Sequence, residues 1–456
     1  MEDYIFLELA ELLEQNKIRK LRFRLTEINE VDVAEFISQI EPEEKMPVVF
    51  RILPKDMAAT VFAYLDSDAQ EFIVSSMNHS ELNLLLDELF VDDAVDFLEE
   101  MPANVVKRIL SHASSETRTA INRVLNYPEN SAGSEMTTEM VELHSRLTVK
   151  EAIKNIRKTG IDKETIYNCY VIDDQRHLIG DLPLRHLLLA KDDELIADIM
   201  DDEEQIISVN TFDDREEVAD IARKYDLLSV PVVDNENRLV GIITIDDIVD
   251  IIEEENTEDF QKMALMAPSD DEYLKTGIFK MFSNRILWLL ILMISATFTG
   301  QIIEGAERSL AGIVAGLTAC IPMLMDTGGN AGNQTSTMII RGLALGEIDI
   351  KDYFKVLFKE VRVALLCGTV LAGVNFLRML VLSYLGISSN TLNVILIVCA
   401  SMLCAVVIAK CIGCTLPIIA KVLKLDPALM AGPMITTIVD AITLAVYFGL
   451  AKAFLM

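Results

Sequence analysis

The hydrophobic pattern divides the chain into a polar N-terminal half and an apolar C-terminal half. Apolar windows of about 20 residues, the length that crosses a bilayer, occur in the C-terminal half. The N-terminal half instead has apolar residues at helical spacing and, farther along, short strand-like runs. The pattern therefore predicts a multi-domain membrane protein. Its five predicted membrane-spanning helices lie at about 286–304, 309–333, 361–385, 391–413 and 429–453.

Residues 1–132 have the pattern of helices only. Segments beginning near Asp32, Asp56 and Asp92 each combine an acidic helix cap, an alanine and an apolar face. Pro54 and Pro102 punctuate these segments. We therefore predict an acidic, all-α, superhelical N-terminal domain built from repeated helical hairpins.

An internal repeat follows the helical region. Residues 171–180 match residues 232–241, since each segment is a strand, a polar turn and a second strand that ends at glycine. The repeat resembles a tandem pair of cystathionine-β-synthase (CBS) domains, α/β modules that usually sense a ligand. We assign the first copy to 133–199 and the second to 200–256.

The second copy carries a candidate nucleotide site. Thr244 and Asp247, after Gly241, stand where the CBS resemblance places the residues that hold an adenosine ribose. The first copy has Pro183 and His186 at the matching positions. The resemblance thus implies at most one site for ATP in each chain. A Thr and an Asp at a helix start also form an ordinary N-cap, so both interpretations stay open.

The charge of the chain is divided in the same way as its hydrophobicity. Residues 1–275 contain 27 basic and 62 acidic residues, a formal charge of −35, whereas residues 276–456 carry +4. Basic residues flank the connections on one side of the predicted spans, among them Arg285, Arg341 and Lys355. The positive-inside rule then places the N-terminal half in the cytoplasm and the C-terminus outside a plasma or inner membrane. We expect no nucleic-acid partner.

An acidic run follows the second CBS copy, where we predict a long connecting or plug helix over 257–282. Asp247, Asp250 and Glu254 share one helical face, and like charges at that spacing repel each other. A bound divalent cation would relieve this repulsion, although a solvated linker is the alternative. The run contains Asp246, Asp247, Asp250, Glu253, Glu254, Glu255, Glu258 and Asp259.

A polar motif lies at the end of the second predicted span. Between Pro322 and Gln334 it places a carboxylate, carboxamides and three glycines at membrane depth. Polar groups there are costly unless they face a wet cavity, and irregular backbone is tolerated only where it lines one. The motif therefore favours a pore for a hydrated cation. In the same span, Gly312 and Gly316 have the spacing of a helix-packing pair.

The motif continues to Ala344 and, together with residues 426–428 and 432–440, resembles the MgtE family of magnesium channels. The domain order agrees with that family, ending in a five-span transmembrane domain over 283–456. The resemblance implies a homodimer in membrane lipid that imports Mg²⁺ and closes when cytosolic Mg²⁺ binds. It places the pore residues at Asp440, Asn330 and Asn333, with Asp326 and Asp426 as further candidates. The implied cytosolic sensor residues are Asp92, Asp96, Asp246, Asp247, Asp250, Glu254, Glu255, Glu258 and Asp259.

Two other functions remain open on the sequence. The chain could be a CBS-regulated carrier for another divalent cation or solute, or a nucleotide-sensing membrane scaffold. An enzyme is not expected, because no nucleophile-base pair or Walker motif is present. Asp440 could also be a helix-end carboxylate that reaches the membrane surface.

Overall fold

The fold is described from a computed structural model, which covers residues 3–202, 206–269, 273–274, 276–309, 317–387 and 391–455. The chain forms two compact units, Met1–Ile252 and Glu253–Met456. Each unit has its own hydrophobic core.

Helices alone build residues 3–124, which confirms the all-α prediction for the N-terminal region. Phe62 lies at the centre of this core, with its ring centroid 6.0 Å from that of Phe50 and 5.0 Å from that of Phe97. The acidic residues predicted to cap these segments lie in the first turns instead, because Pro54 and Phe90 occupy the N-caps. The helices are α1 (Asp3–Glu14), α2 (Ile18–Leu25), α3 (Glu30–Ser38), α4 (Met46–Phe50), α5 (Lys55–Ala63), α6 (Ser67–Ser76), α7 (His79–Leu86), α8 (Val91–Glu99), α9 (Ala103–His112) and α10 (Ser115–Val124).

Two small sheets follow whose first three strands have the same arrangement, as the internal repeat predicts. In each sheet the first two strands are parallel, the next pair is antiparallel, and a bulge falls at the same place, after Val171 or Val232. The first sheet has the order β1 (Val141–His144), β2 (Asn168–Ile172), β3 (Leu178–Pro183) and β4 (Asp201–Asp202), and the second β5 (Val209–Asn210), β6 (Ser229–Val233) and β7 (Leu239–Thr244). Their helices are α11 (Val149–Thr159), α12 (Leu184–Leu189), α13 (Ile196–Ile199) and α14 (Arg215–Tyr225).

The two copies exchange their opening segments. Thr137 pairs with Ile242 of the second sheet, whereas β4, at the start of the second copy, pairs with β3 of the first. A Cβ atom on Gly241 would lie 2.7 Å from the sulfur of Met136. Only glycine leaves room for this contact. Because β4 follows the boundary predicted at 199/200 but pairs with β3, that boundary does not separate the two sheets.

The helix after β7 differs from the predicted connecting helix over 257–282. Helix α15 (Ile245–Met263) begins directly at the end of β7 and stops well before residue 282. Leu265 has a positive φ of 54°, and the Gln261 carboxamide bonds both the N–H and the C=O of Ser269. These contacts turn the chain away from the helix axis, so the predicted single helix is two elements.

Long helices form the C-terminal unit. They are α16 (Ile278–Ser309), α17 (Ile321–Ala344), α18 (Tyr353–Tyr384), α19 (Leu392–Val422) and α20 (Gly432–Leu455), and a 3₁₀ turn, Pro427–Met430, precedes α20. Within the described residues, α16, α18, α19 and the segment Pro427–Leu455 are long and apolar enough to cross a membrane.

The second predicted span, 309–333, differs most from the structure. Residues 310–316, with Gly312 and Gly316, lie outside the described residues. Helix α17 continues through the polar motif to Ala344. The helix therefore extends beyond the predicted end of the span at 333, because the residues of this motif are helical and pack partly against neighbouring helices.

Candidate ion pathway and acidic cluster

The polar motif forms one exposed stripe along α17. Its members are Asp326, Asn330, Gln334 and Thr337, which recur every three or four residues and therefore share a helix face. All four side chains are exposed in this unit, and Asn330 Nδ2 donates to Asp326 Oδ1 at 3.0 Å. We call this set the polar stripe. Hydrocarbon tails offer such groups no hydrogen bonds, so this face requires water or another polar wall.

The glycines of the motif serve close packing rather than an irregular backbone. A Cβ atom on Gly328 would lie 3.0 Å from Thr443 Oγ1, and one on Gly332 would lie 3.2 Å from Val439. On the facing helix α19, a Cβ on Gly413 would meet the Gly332 carbonyl oxygen at 2.4 Å. The expectation of irregular backbone is therefore wrong, since these glycines let α17 remain helical in close contact with α19 and α20.

Asp440 lies on α20 beside the motif. Its Oδ1 atom is buried and has no hydrogen-bond partner among the described residues. A Cβ atom on Gly329 would be 3.6 Å from that oxygen, and the Asp326 carboxylate lies near enough to interact electrostatically with that of Asp440. The structure thus brings Asp440, Asp326 and Asn330 into one neighbourhood.

Asn333 and Asp426 have different contacts. Asn333 is half-buried, and its Oδ1 accepts a hydrogen bond from the Gly432 N–H at 2.8 Å, at the start of α20. Asp426 Oδ1 caps the 3₁₀ turn by accepting from the Ala428 N–H at 2.8 Å. Its Oδ2 lies 2.7 Å from Lys262 Nζ at the end of α15. Both residues therefore hold the junction that leads into α20.

A buried ion pair lies behind the polar stripe, and the sequence did not predict it. Lys410 Nζ on α19 donates to Thr335 Oγ1 at 3.0 Å and lies 3.7 Å from Glu360 Oε2 on α18. Thr335 in turn donates to Glu360 Oε2 at 3.0 Å. Lys410 is only 6% exposed. The three side chains join α17, α18 and α19 through these mutual contacts.

The N-terminal unit contains an acidic cluster between α8 and the first half of α15. Asp92, Asp93 and Asp96 on α8 interact electrostatically with Asp247. The structure adds Asp93 and three glutamates that the sequence analysis did not select. We call the whole set the acidic cluster, and it consists of Asp92, Asp93, Asp96, Glu135, Glu139, Glu164, Asp246, Asp247 and Asp250.

Burial and like charge perturb this cluster strongly. Burial and the charge of Glu135 raise the pKa of Asp96 to about 8, and burial with the charge of Asp93 raises that of Glu164 to about 8. Burial raises the pKa values of Asp93 and Asp247 to about 6. Asp92 is only 8% exposed, and burial raises its pKa well above the usual range. A bound cation would favour the ionised forms of these groups.

The remaining predicted sensor residues lie in the other unit. Glu254, Glu255, Glu258 and Asp259 occupy the second half of α15. Burial and the charge of Asp426 raise the pKa of Asp259 to about 6. The single predicted set is therefore divided into the acidic cluster and a second group near Asp426.

Comparisons with known proteins agree with these features. Residues 321–450 match the family model described as MgtE, divalent cation transporter, and residues 28–130 match the MgtE intracellular N domain. Residues 196–254 match the CBS domain. The chain is 34% identical to the magnesium transporter MgtE of Thermus thermophilus, over 100% of this chain and 99% of that protein. It is 32% identical to the one from Bacillus subtilis, over 99% and 98% respectively.

The chain belongs to the MgtE family.

Solved structures resemble its N-terminal half. One match is a crystal structure of the soluble part of a magnesium transporter. The match covers 56% of this chain and 99% of the transporter chain, with 32% sequence identity and a TM-score of 0.53. A second match is the crystal structure of the cytosolic domain of the Mg²⁺ channel MgtE in complex with ATP. This match covers 54% of this chain and 99% of the other, with 35% sequence identity and a TM-score of 0.51. The helical and CBS regions thus have the fold of the MgtE soluble domains.

The candidate nucleotide residues of this MgtE-family chain bond each other. Thr244 Oγ1 donates to Asp247 Oδ2 at 2.7 Å, and the Thr244 N–H points to the same oxygen at 3.3 Å. Thr244 is buried, and Asp247 also belongs to the acidic cluster. The Asp247 carboxylate thus bonds back to the residue before α15, which is one half of a capping box, and the nucleotide interpretation stays a prediction.

Metal-ligating side chains do not converge into a tight cage. Among the residues that the structure describes, no group of three His, Cys, Asp or Glu side chains could surround an ion directly. Cys411 and Cys414, which have the spacing of half a zinc site, are free thiols. The oxygen-rich groups of this MgtE-family chain are instead spread along the polar stripe and through the acidic cluster.

Proposed function

We propose that this chain is a Mg²⁺ channel that imports magnesium into the cytoplasm and closes when cytosolic Mg²⁺ binds. The observation that carries the proposal is the polar stripe on α17, with the Asp440 carboxylate beside it on α20. Full-length relatives named magnesium transporter MgtE support the choice of ion.

The chemistry of the stripe suits hydrated Mg²⁺. This ion dehydrates reluctantly and keeps several waters, so its path needs oxygen groups that accept hydrogen bonds from those waters. Asp440, Asp326 and Asn330 supply carboxylate and amide oxygens. The stripe contains no His or Cys, the residues that zinc and copper prefer. A spread of oxygens rather than a cage fits an ion that passes through.

Two copies of the chain complete the pore in this proposal. One copy leaves the polar stripe exposed, and lipid cannot solvate it. A two-fold axis along the stripe would face it with an identical stripe, which gives a polar channel with two copies of Asp440. Homodimers with such self-complementary interfaces are the commonest oligomers.

We assign the predicted pore residues different roles. The Asp440 carboxylate, which lies beside the stripe, binds the hydrated ion, and Asp326 and Asn330 extend the polar wall. Asn333 positions the start of α20, because its amide oxygen is already occupied. Asp426 belongs to the junction between α15 and α20.

The orientation follows from the basic residues. Lys351, Lys355, Lys359 and Arg362 lie in or near the connection between α17 and α18, and this side faces the cytoplasm by the positive-inside rule. The N-terminal unit, which includes the CBS sheets, is then cytoplasmic, and the C-terminus is outside.

The acidic cluster is the main candidate sensor of cytosolic Mg²⁺. Its carboxylates lie between α8 and α15, where burial and like charge make the unliganded state costly. Mg²⁺ would neutralise them and fix α8 against α15. Because α15 continues toward Asp426, the same helix can transmit the bound state to the pore junction.

An adenine nucleotide is a further ligand in this proposal. A related cytosolic domain was crystallised in complex with ATP, which supports nucleotide binding by the corresponding part of this chain. Binding of a ribose at Thr244 and Asp247 would require the nucleotide to replace their mutual hydrogen bond. We therefore treat ATP as a modulator rather than as an energy source.

Flux into liposomes tests the pore. The protein is reconstituted with a Mg²⁺-sensitive dye inside, and Asp440→Asn is compared with wild type and with Asp352→Asn, the same change on an exposed 3₁₀ turn. We expect Asp440→Asn to abolish flux while the control conducts. Wild-type flux in Asp440→Asn would exclude the pore assignment.

Flux at different cytosolic Mg²⁺ concentrations tests the sensor. Asp92, Asp96 and Asp247 are replaced together by Asn, which preserves size and removes charge. We expect flux to persist at Mg²⁺ concentrations that close the wild type. Normal closure of this triple variant would exclude the acidic cluster as the sensor.

A further inference from the structure

Lys262 lies between two carboxylates at the end of α15. Its Nζ is 2.7 Å from Asp426 Oδ2 and also forms a close ion pair with Glu258, one helical turn before it. The three side chains are only 23–29% exposed. Lys262 therefore makes a two-armed, partly buried contact rather than a surface ion pair.

This contact continues into the pore helix. The other oxygen of Asp426 caps the turn Pro427–Met430, whose Met430 carbonyl accepts from Ser336 Oγ on α17 at 2.6 Å. Gly432 follows, and a Cβ atom there would lie 2.3 Å from the Met263 carbonyl oxygen. The end of α15 is thus in direct contact with the start of α20.

The charges at this junction depend on Lys262. Glu258, Asp259 and Asp426 are carboxylates around one ammonium group. Burial alone would lower the pKa of Lys262, but hydrogen bonds to Asp426 and Glu258 outweigh it and raise the pKa above its ordinary value. The ammonium group stays charged at neutral pH and offsets part of the carboxylate repulsion.

We propose that Lys262 is a built-in latch, whose ammonium group joins Glu258 to Asp426 and holds the end of α15 against the start of α20 without a bound metal ion. The proposal rests on the proposed function, in which α15 controls the pore. A divalent ion between the same carboxylates would reinforce or replace the latch. In this proposal the ion pairs of Lys262 stabilise the closed state even when no Mg²⁺ is bound.

Two substitutions separate the charge from the side chain. Lys262→Met keeps most of the apolar stem and removes the cation, whereas Lys262→Arg keeps the cation. Without the cation, Glu258 and Asp426 repel each other, so we expect higher flux than wild type at the lowest cytosolic Mg²⁺. At high Mg²⁺ we expect Lys262→Met to close fully, because the divalent ion supplies the missing charge. Lys262→Arg should resemble wild type.

Lys355→Met is the matched control. Lys355 belongs to the same unit and pairs with Asp352 at 2.7 Å, but its side chain is 85% exposed. We expect no change of flux at any Mg²⁺ concentration. If Lys262→Met also matches wild type at low Mg²⁺, or if Lys262→Arg fails to restore wild-type flux, the latch is excluded.

Amide hydrogen exchange tests the latch independently of any measurement of transport. In the full-length protein in EDTA, amides of 258–264 and 428–434 should exchange faster in Lys262→Met than in wild type or Lys355→Met. Unchanged exchange would overturn the latch even if the channel conducts. If wild type conducts no Mg²⁺ but Lys262→Met still exchanges faster than wild type, the proposed function is overturned and the latch is not.

Discussion

The side-chain oxygen of Asn333 accepts a hydrogen bond from the backbone N–H of Gly432 at 2.8 Å. Helix α17 thereby caps the start of α20, the helix that carries Asp440. Gly432 has a φ of 52°, and its Cα lies close to the Met263 carbonyl oxygen. This backbone geometry holds the Gly432 N–H in a direction that Asn333 can reach. Asn333 and Asn330 lie three residues apart but have different surroundings, since Asn330 is exposed on the polar stripe.

This difference predicts separable effects of the two asparagines. Asn333→Leu removes the acceptor and leaves the Gly432 N–H without its partner, which costs about 1–3 kcal/mol. Asn330→Leu should reduce Mg²⁺ flux with little loss of stability. Thermal unfolding in detergent and liposome flux measure the two effects. Equal stability of Asn333→Leu and wild type would contradict the junction role.

The glycine contact between α17 and α19 predicts a steric effect. A Cβ on Gly413 would meet the Gly332 carbonyl oxygen, so Gly413→Ala must push the helices apart. Such overpacking costs about 1–3 kcal/mol. Gly373→Ala on α18 is the control, because a Cβ there meets nothing within 4 Å. Detergent melting curves that do not distinguish these variants would show that the close crossing is unimportant.

The buried ion pair behind the stripe predicts non-additive stability. Lys410→Met leaves the partly buried Glu360 without its cation, and breaking a buried pair costs about 3–5 kcal/mol. The double variant Lys410→Met/Glu360→Gln should recover much of this loss, since no unpaired charge remains. A double-mutant cycle by thermal unfolding measures the coupling. Additive losses would argue against a coupled pair.

The acidic cluster predicts that stability falls as pH rises. A carboxyl group whose pKa is higher in the folded than in the unfolded state stabilises the fold only while it is protonated. For Asp96 and Glu164, with pKa values of about 8, this contribution is present near pH 4 and is lost as pH rises through 8. Thermal unfolding in EDTA between pH 5 and 9 measures the slope, and Mg²⁺ should restore stability at the alkaline end.

Glu164→Gln tests the origin of that slope. The variant removes one of the titrating groups, so its stability should depend less on pH. Glu43→Gln, an exposed glutamate in the same unit, should keep the wild-type slope. A slope unaffected by Glu164→Gln would show that Glu164 does not titrate in this range.

The sequence by itself determined the fold class and the main polar motif. Apolar windows and helical spacing depend on local periodicity, which is why the N-terminal helices, the repeated sheets and most long apolar helices were predictable. The family followed from motifs of consecutive residues around Asn330 and Asp440. Helix ends were less predictable, as α15 and α17 show, because Ser269 and the packing against α19 and α20 decide them.

Only the tertiary structure decided which groups meet. Glu164 joins the acidic cluster from a distant segment, Lys410 finds Glu360 and Thr335, and Lys262 reaches Asp426, yet none of these pairs has a local spacing signal. The glycines of α17 were ambiguous for the same reason, since a missing Cβ can permit a bend or a close contact. Long-range packing decides between a bend and a close contact. It also decides which charges pair, because each buried charge requires a specific partner.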